Sequence, residues 1–218
     1  MLVVKDENGA SFPAWKEYKL SDLLIERKLK SPKDGSYEHV SLTKEGVVPK
    51  SDRYERDFLV KSDDKEYKVT LLNDICYNPA NLKFGVICRN KYGDAIFSPI
   101  YITFETTDLI TPEFAEIMVT RTDFINYSLK YQQGTVYERM AVSPEDLLQI
   151  KVKIPSIEEQ KKLISIIQII DERIACQNEI IESYQKQKKG LEQQLFSQEL
   201  RFSDNGAKYP DWESIQLG

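Results

Sequence analysis

The chain has 218 residues, of which 41% are apolar and 30% charged, and its formal net charge is −5. This length suits one domain of ordinary size with an appendage, and the apolar content is sufficient for a buried core. Nothing resembles a signal peptide, and no apolar run approaches the ~20 residues of a membrane-spanning helix. The three cysteines form no C-x-x-C pair. We therefore expect a reducing compartment, the cytoplasm, and no disulfide framework.

A motif near the N-terminus returns near the C-terminus. The two copies are NGASFPAW at residues 8–15 and NGAKYPDW at residues 205–212. The two copies begin 197 residues apart. A repeat at this distance predicts one whole unit followed by the start of a second unit over residues 201–218. Whether the chain is cut after one repeat or is a natural half-length protein stays open at this point.

Residues 25–150 have the pattern of a mixed α/β domain, which we extend to residues 1–154. Short segments rich in β-branched and aromatic residues predict strands at 40–42, 67–72, 86–88 and 99–104, with turns between them. Thr111-Pro112-Glu113 predicts the start of a helix that continues through Ile125. A loop is expected at 131–135, and Ser143-Pro144 predicts one more helical turn.

Residues 155–200 are predicted to form one long helix. Ser156 and Glu159 have the spacing of a capping box behind Pro155. A four-three apolar repeat over more than four heptads predicts a coiled-coil seam. Its positions are Leu163, Ile167, Ile170, Ile174, Gln177, Ile181, Tyr184, Lys188, Leu191 and Leu195. A helix of this length is about 60 Å long, so the seam needs a partner beyond its own domain. The alternative is an ordinary packing helix.

The first turns of this helix carry further isoleucines, at 157, 164, 166 and 169. Because a helix that is apolar on all faces is usually buried on all faces, we expect its first half to lie between the preceding domain and a partner helix.

No catalytic motif is recognisable. The single histidine, His39, has no second histidine or cysteine cluster with which to form a triad or zinc site, so an ordinary surface or strand position is expected. The sequence contains no phosphate-binding glycine loop. We therefore predict no catalytic residues, no metal and no cofactor.

Binding chemistry remains, in clusters of basic, amide and hydroxyl side chains. These residue types contact phosphates and base edges in DNA. The candidate DNA-binding residues are Lys28, Lys30, Lys83, Arg89, Asn90, Lys91, Gln132, Gln133 and Thr135. Taken alone, each cluster is better explained as a solvated surface, and the negative net charge argues mildly against nucleic acid.

Two helix segments, IPSIEEQKKLI at 154–164 and KKGLEQQLF at 188–196, resemble the specificity subunits of type I restriction–modification systems. The Phe-Pro-x-Trp and Tyr-Pro-x-Trp motifs of the two repeats also resemble that family. Asn78-Pro79, Gly85, Ser98-Pro99-x-Tyr101 and Gly134-Thr135 look like its target-recognition domain. The family typically carries two recognition domains and two long helices, whereas this chain has one of each.

The resemblance implies an α+β fold, in which a mixed target-recognition domain precedes a long helix that forms an antiparallel coiled coil. It implies a non-catalytic subunit that reads one half of a split site in double-stranded DNA. Its partners would be methyltransferase subunits, restriction subunits and, for a chain with a single helix, a second copy of itself. The seam residues, from Leu163 to Leu195, would form the dimer interface.

Two other classes of function stay open. One is a cytoplasmic coiled-coil scaffold that does not bind DNA, which salt-dependent binding to duplex DNA would distinguish. The other is a small nuclease or methyltransferase with an unrecognised site, which activity of the isolated chain would support.

Overall fold

Two compact units make up the chain, Met1–Ser165 and Ile166–Gly218. The structure, a computed structural model, describes residue 5 and residues 8–31, 36–50, 66–133, 140–210 and 212–213. The first unit extends eleven residues beyond the domain end predicted at residue 154, because the start of the long helix belongs to it.

The first unit contains two four-stranded sheets and a two-stranded ribbon. One sheet is antiparallel, with the order β2 (Leu24–Glu26), β9 (Ile102–Thr106), β6 (Ile75–Tyr77) and β7 (Ile87–Arg89). The other has the order β4 (Val47–Pro49), β3 (Glu38–Leu42), β8 (Ala95–Phe97) and β5 (Lys68–Thr70), with β3 and β8 parallel. The ribbon pairs β1 (Lys16–Lys19) with β10 (Lys151–Ile154) in antiparallel register.

Strands β6 and β7 are buried on both faces. Ile75, Tyr77 and Ile87 belong to one core cluster, which the helices cover. Cys76 and Cys88, which face each other across the two strands, belong to a second cluster with residues of β3 and β8. This arrangement follows from the period of two along a strand, which sends successive side chains to opposite faces.

Five helices have the bounds α1 (Leu20–Leu23), α2 (Pro112–Thr120), α3 (Thr122–Ser128), α4 (Pro144–Leu148) and α5 (Ile157–Phe196). The single helix predicted from Thr111 through Ile125 is two helices, because Arg121 has an extended backbone with ψ of 137°. The predicted starts hold: Thr111 accepts a hydrogen bond from the Phe114 N–H, and Ser143 accepts one from the Asp146 N–H.

The strand predicted at 40–42 lies within β3, the one at 67–72 contains β5, and the one at 86–88 overlaps β7 by two residues. The fourth, predicted at 99–104, begins only at Ile102, because the Tyr101 N–H bonds to the Ser98 carbonyl and closes a turn. Strands β1, β2, β4, β6, β8 and β10 were not predicted.

In the second unit, α5 continues from Ile166 to Phe196 and is followed by a hairpin of β11 (Ser203–Asp204) and β12 (Ala207–Lys208). Asn205 and Gly206 form its turn with φ of 47° and 84°, a conformation that asparagine and glycine tolerate. None of the described helices is apolar over a length that would cross a membrane. The predicted fold class, a mixed domain followed by one long helix, is confirmed.

Candidate DNA interface and helix seam

The long helix is attached to the domain through two buried polar side chains in its first turn. Gln160 is fully buried, and its Oε1 accepts a hydrogen bond from the Thr111 N–H at 2.9 Å. Its Nε2 donates to the carbonyls of Leu109 and Pro155, each at 3.0 Å. Since every polar atom of this amide is paired, its burial is compatible with a stable core. Gln160 therefore fixes the helix start against the segment that leads into α2.

Glu159 shows how the predicted capping box differs from the structure. The Ser156 Oγ accepts from the Glu159 N–H at 3.4 Å, so the serine caps the helix as expected. The glutamate side chain has a different partner, since Oε1 accepts a hydrogen bond from Trp15 Nε1 at 3.2 Å. Its Oε2 is buried and has no hydrogen-bond partner among the described residues. The carboxylate thus holds the N-terminal Phe-Pro-x-Trp motif against the helix rather than completing the box.

The seam residues separate into two groups. Leu163 is half-buried and packs on the main core beside the buried Ile164. Further along, Ile174 and Ile181 are 53% and 51% exposed in the single chain. The other exposed seam positions are Ile167, Ile170, Gln177, Tyr184, Lys188 and Leu191, and Leu195 is intermediate. Most of the predicted seam is therefore uncovered within one chain.

Most of the basic candidates for DNA contact are ion-paired in the fold. Lys28 pairs with Glu26 at 3.3 Å, and Lys30 pairs with Glu66 at 2.8 Å. Lys91 pairs with Glu116 at 2.8 Å. These lysines remain well exposed, and such surface pairs are worth little. They are therefore accessible, although their charge is already partly balanced.

Arg89 is held more firmly. Its Nη1 donates to Glu113 Oε1 at 2.9 Å and to Asn73 Oδ1 at 2.7 Å, and its Nε donates to Glu116 Oε2 at 3.1 Å. Only 16% of the side chain is exposed. The guanidinium ties β7 to α2, so a structural role accounts for it.

Asn90 is fully buried, contrary to what a base-reading residue requires. Its Nδ2 donates to the carbonyls of Leu71 and Gly93 at 2.9 and 2.8 Å. Its Oδ1 accepts from the Tyr92 N–H at 2.9 Å. The amide closes the turn between β7 and β8 and has no free edge for DNA, so we withdraw it from the candidate interface.

Lys83 lies in a different setting, on a 3₁₀ turn (Leu82–Phe84) that contacts α3. Its Nζ lies 4.9 Å from the centre of the exposed Phe84 ring. Directly after α3, Lys130 places its Nζ 5.0 Å from the centre of the Tyr127 ring. Neither lysine has an ion pair within the described part of the chain.

The loop after α3 joins the same region. The Val142 N–H donates to the Pro79 carbonyl at 3.2 Å, which ties the end of the loop to the segment that precedes Lys83. Gln132 donates to the Met140 carbonyl at 2.9 Å, and Gln133 donates to Asp146 at 2.7 Å. Thr135 lies outside the described residues. The structure thus brings Lys83, Gln132 and Gln133 to one side of the domain.

Lys130 and Tyr127 were missed in the sequence analysis. The available signal was their spacing of three residues, which places both on one helix face once α3 is recognised as a helix. We call Lys83, Phe84, Tyr127, Lys130 and Tyr131 the aromatic–lysine cluster; the Tyr127 and Tyr131 rings meet edge to face at 5.9 Å.

No group of three or more potential metal ligands occurs among the described residues. His39 lies in β3, where its ring packs edge to face on Tyr67 at 4.5 Å. Its pKa is lowered, chiefly by burial and then by the charge of Lys50. These contacts are those of a structural strand residue.

The sequence is similar to one characterised class of protein. It is 30% identical over 95 residues to the type I restriction enzyme MjaX specificity subunit of Methanocaldococcus jannaschii, a match covering 41% of this chain and 22% of that relative. No protein-family model matches the sequence.

The fold is similar to three solved structures. The HsdS subunit from Thermoanaerobacter tengcongensis superposes with a TM-score of 0.62 at 18% identity, over 91% of this chain and 52% of the other. The S subunit of the M. genitalium type I restriction–modification system superposes with a TM-score of 0.52 at 16% sequence identity, over 90% of this chain and 49% of the other. A chain from a study of type I R-M complex assembly and conformational transition superposes with a TM-score of 0.58 at 16% sequence identity, over 92% of this chain and 53% of the other.

The chain therefore spans about half the length of these solved chains and a smaller part of the curated relative. The sequence match rests on residue identity, and the structural matches show a shared fold. The resemblance seen in the sequence is confirmed: over 95 residues the chain is similar to a specificity subunit of a type I restriction enzyme, and its fold is similar to that of solved specificity subunits.

Proposed function

We propose that this chain is the DNA-recognition subunit of a type I restriction–modification complex in the cytoplasm. It would read one half of a bipartite DNA site and direct methyltransferase and restriction subunits to that site. The observation that carries the proposal is the combination of a specificity-subunit fold over some nine-tenths of the chain with a long helix whose seam is uncovered. Chemistry on the DNA would belong to the partner subunits.

The uncovered seam is best satisfied by a second copy of the same helix. Two copies packed antiparallel about a two-fold axis would bury Ile167, Ile174, Ile181 and their neighbours, and would place one recognition domain at each end. Such a dimer presents the same reading surface twice in opposite orientation. Its DNA site should then be an inverted repeat with a spacer of fixed length.

For contact with the duplex we propose the side of the domain that carries the aromatic–lysine cluster. Lys83 and Lys130 are exposed cations without acidic partners in the described residues, and Gln132 and Gln133 follow directly in the chain. Lysines hold phosphates, while glutamines suit base edges in the major groove. Lys28, Lys30 and Lys91 remain secondary candidates, because the acids beside them reduce the local positive potential.

The central test uses the chain together with its methyltransferase subunit. Both are co-expressed, and methylated adenines are mapped for the wild-type chain and for a variant with one heptad inserted between Ile174 and Ile181. The insertion keeps the seam in phase and lengthens the helix by about 10 Å, which corresponds to roughly three base pairs. We expect unchanged half-sites separated by a longer spacer. An asymmetric site, or altered half-sites with the original spacer, would contradict the dimeric arrangement.

A coiled-coil scaffold that does not bind DNA is the second candidate. The net charge of −5 and the acidic partners of Lys28, Lys30, Arg89 and Lys91 favour it. Binding of the purified chain to duplex DNA over a range of salt concentrations separates the two functions, since phosphate contacts give a linear fall of log K with log salt. A chain that dimerises but shows no such binding, alone or with its methyltransferase, would be a scaffold.

A further inference from the structure

Strand β10 is paired on one edge only. It forms a ladder with β1 in which Val152 lies opposite Tyr18, and the Leu20 N–H donates to the Ile150 carbonyl at 2.8 Å. In an antiparallel pair, hydrogen-bonded and non-hydrogen-bonded positions alternate. Residues 152 and 154 therefore direct their backbone groups towards β1, as does the carbonyl of Ile150, whose N–H donates to the Leu147 carbonyl. Lys151 and Lys153 direct theirs to the opposite edge, where no described residue is bonded to them.

This free edge borders a groove of about 380 Å³. The groove is lined by Met118, Arg121, Asp123, Phe124, Tyr127 and residues 150–153 of the strand segment. Its apolar lining comes from the ends of α2 and α3 and from Ile150 and Val152, and Tyr127 is 42% exposed beside it. An unpaired strand edge beside an apolar groove is the geometry used for adding a strand from another chain.

The rim of the groove is basic. Three basic side chains lie there, Lys151, Lys153 and Arg121, together with two acidic side chains, Glu17 and Asp123. Lys151 Nζ lies 3.2 Å from Glu17, and Arg121 pairs with Asp123 on the surface. Lys151 thus already has an acidic partner, whereas Lys153 forms no ion pair within the described part of the chain. An added acidic segment would supply a partner for Lys153.

Lysines on an edge strand also occur as protection against aggregation, because they hinder pairing with a second strand. That role does not account for the groove, which offers apolar surface immediately beside the edge. A strand edge that needed only protection from aggregation would be better surrounded by polar side chains. The basic rim and the apolar lining together select a partner that alternates between acidic and apolar residues, since successive side chains of a strand point to opposite faces.

We propose that the free edge of β10 binds an extended acidic–apolar segment of a partner protein by strand addition. The segment's backbone bonds to the N–H and C=O groups of Lys151 and Lys153. Its acidic side chains face the lysines, and its apolar side chains enter the groove beside Tyr127. The edge accommodates about four residues, or some 13 Å of strand. The site uses no seam residue of α5, so it is independent of self-association, but it shares Tyr127 with the aromatic–lysine cluster and therefore borders the proposed DNA contact.

The probe for the test is an acetylated and amidated peptide of about ten residues that alternates Glu and Leu. It is titrated against the isotope-labelled full chain, and amide hydrogen exchange is followed residue by residue. Exchange at Lys151 and Lys153 should slow on binding. Exchange at Val152 should not change, because its N–H already bonds to β1, which makes it an internal control.

Two substitutions of Lys153 distinguish the contribution of its backbone N–H from that of its side-chain charge. K153P removes the outward N–H while leaving the ladder with β1 intact, and should weaken peptide binding about tenfold or more. K153Q keeps the N–H and removes only the charge, so its effect should be smaller. Y127E, on an exposed residue, should also weaken binding by repelling the acidic peptide.

The proposal is overturned if the peptide does not bind at millimolar concentration or if it binds K153P as tightly as the wild-type chain. It is also overturned if a peptide with Lys in place of Glu binds equally well, since the basic rim would then play no part. Displacement of the bound peptide by duplex DNA at low salt would assign the groove to phosphate contacts instead.

Discussion

The two parts of helix α5 have similar apolar content and opposite environments. Over Ile157–Ser165 the helix is packed into the first unit, and buried residues include a glutamate and a glutamine beside Ile164. From Ile166 onward, Ile169, Ile170, Ile174 and Ile181 are each more than half exposed. Two polar side chains are thus buried at the base of the helix together with Ile164, whereas several isoleucines beyond it are exposed in the single chain.

This contrast shows that a helical repeat predicts an apolar face without identifying what covers it. The base of the helix is determined by directional contacts, since Gln160 bonds to three backbone groups and Glu159 accepts the indole N–H of Trp15. The distal part, from Ile166, instead carries isoleucines that are exposed in the single chain, such as Ile174. We therefore expect substitutions at the base to affect folding, and substitutions in the distal part to affect association.

The largest effect is expected at Gln160. Replacing it with leucine leaves the Thr111 N–H and the carbonyls of Leu109 and Pro155 buried without partners. At about 1–3 kcal/mol for each unsatisfied group, after partial relaxation, the free energy of unfolding should fall by about 3–5 kcal/mol. Urea unfolding of the full chain measures this. Gln168→Leu is the matched control, because Gln168 is exposed on the same helix and its replacement should change stability by less than about 0.5 kcal/mol.

A loss of less than about 1 kcal/mol for Gln160→Leu would mean that the helix base is held mainly by Ile164 and the apolar core. The comparison between the two parts of the helix would then rest on apolar burial alone.

The second prediction concerns the distal seam. Ile174→Glu together with Ile181→Glu should raise the dissociation constant of the proposed dimer about a hundredfold or more, because each dimer would bury four unpaired carboxylates. Sedimentation at micromolar concentration distinguishes monomer from dimer. Ala175→Glu adds the same side chain on the exposed helix surface away from the seam and should leave the dimer intact.

The fold of the monomer should survive both seam substitutions, since these residues are exposed in the single chain. A wild-type chain that is monomeric at micromolar concentration would rule out self-association and leave the seam to a different partner helix.

The sequence predicted the long helix better than it predicted the domain. The seam and the start of α5 follow from a repeat and a capping serine, both of which are local signals. Strand β6 was missed because it is buried on both faces and has only three residues, so no alternation was visible. The pairing of β1 with β10, more than 130 residues apart in the chain, leaves no local pattern at all.

For the candidate DNA interface, residue type was an insufficient guide. Arg89 and Asn90 had suitable chemistry, but their carboxylate and backbone partners come from α2 and the neighbouring turn, and only the folded chain reveals those partners. Lys83 and Lys130 are distinguished by the absence of an acidic neighbour in the described residues, a property of three-dimensional placement.

A third prediction tests that distinction. Lys83→Gln combined with Lys130→Gln should weaken binding to all duplex sequences by a similar factor and reduce the salt slope of log K by about two. Lys91→Gln, which removes a lysine already paired with Glu116, should change the slope by less than about one. Binding is measured by fluorescence anisotropy over a salt series. Equal effects from both variants would show that ion pairing within the chain does not decide which lysines contact DNA.

The smallest effect is expected from alkylation of the three cysteines under native conditions. Cys176 is exposed on the distal part of α5, whereas Cys76 and Cys88 are buried between the sheets. Burial raises the pKa of Cys76 to about 12 and that of Cys88 to about 11. Because the thiolate is the reactive form, both should stay unmodified near pH 8, while the exposed Cys176 is accessible to the reagent.

Mass spectrometry of the labelled chain should therefore show one modification, at Cys176, with no change in the unfolding midpoint. Raising the pH towards 9 should leave labelling of the buried pair dependent on opening of the domain, since deprotonation of those thiols requires a higher pH. Labelling of Cys76 or Cys88 at a rate close to that of Cys176 would mean that the sheets open readily. The domain would then be the mobile part of the molecule, and the contrast between a fixed base and an association surface would not hold.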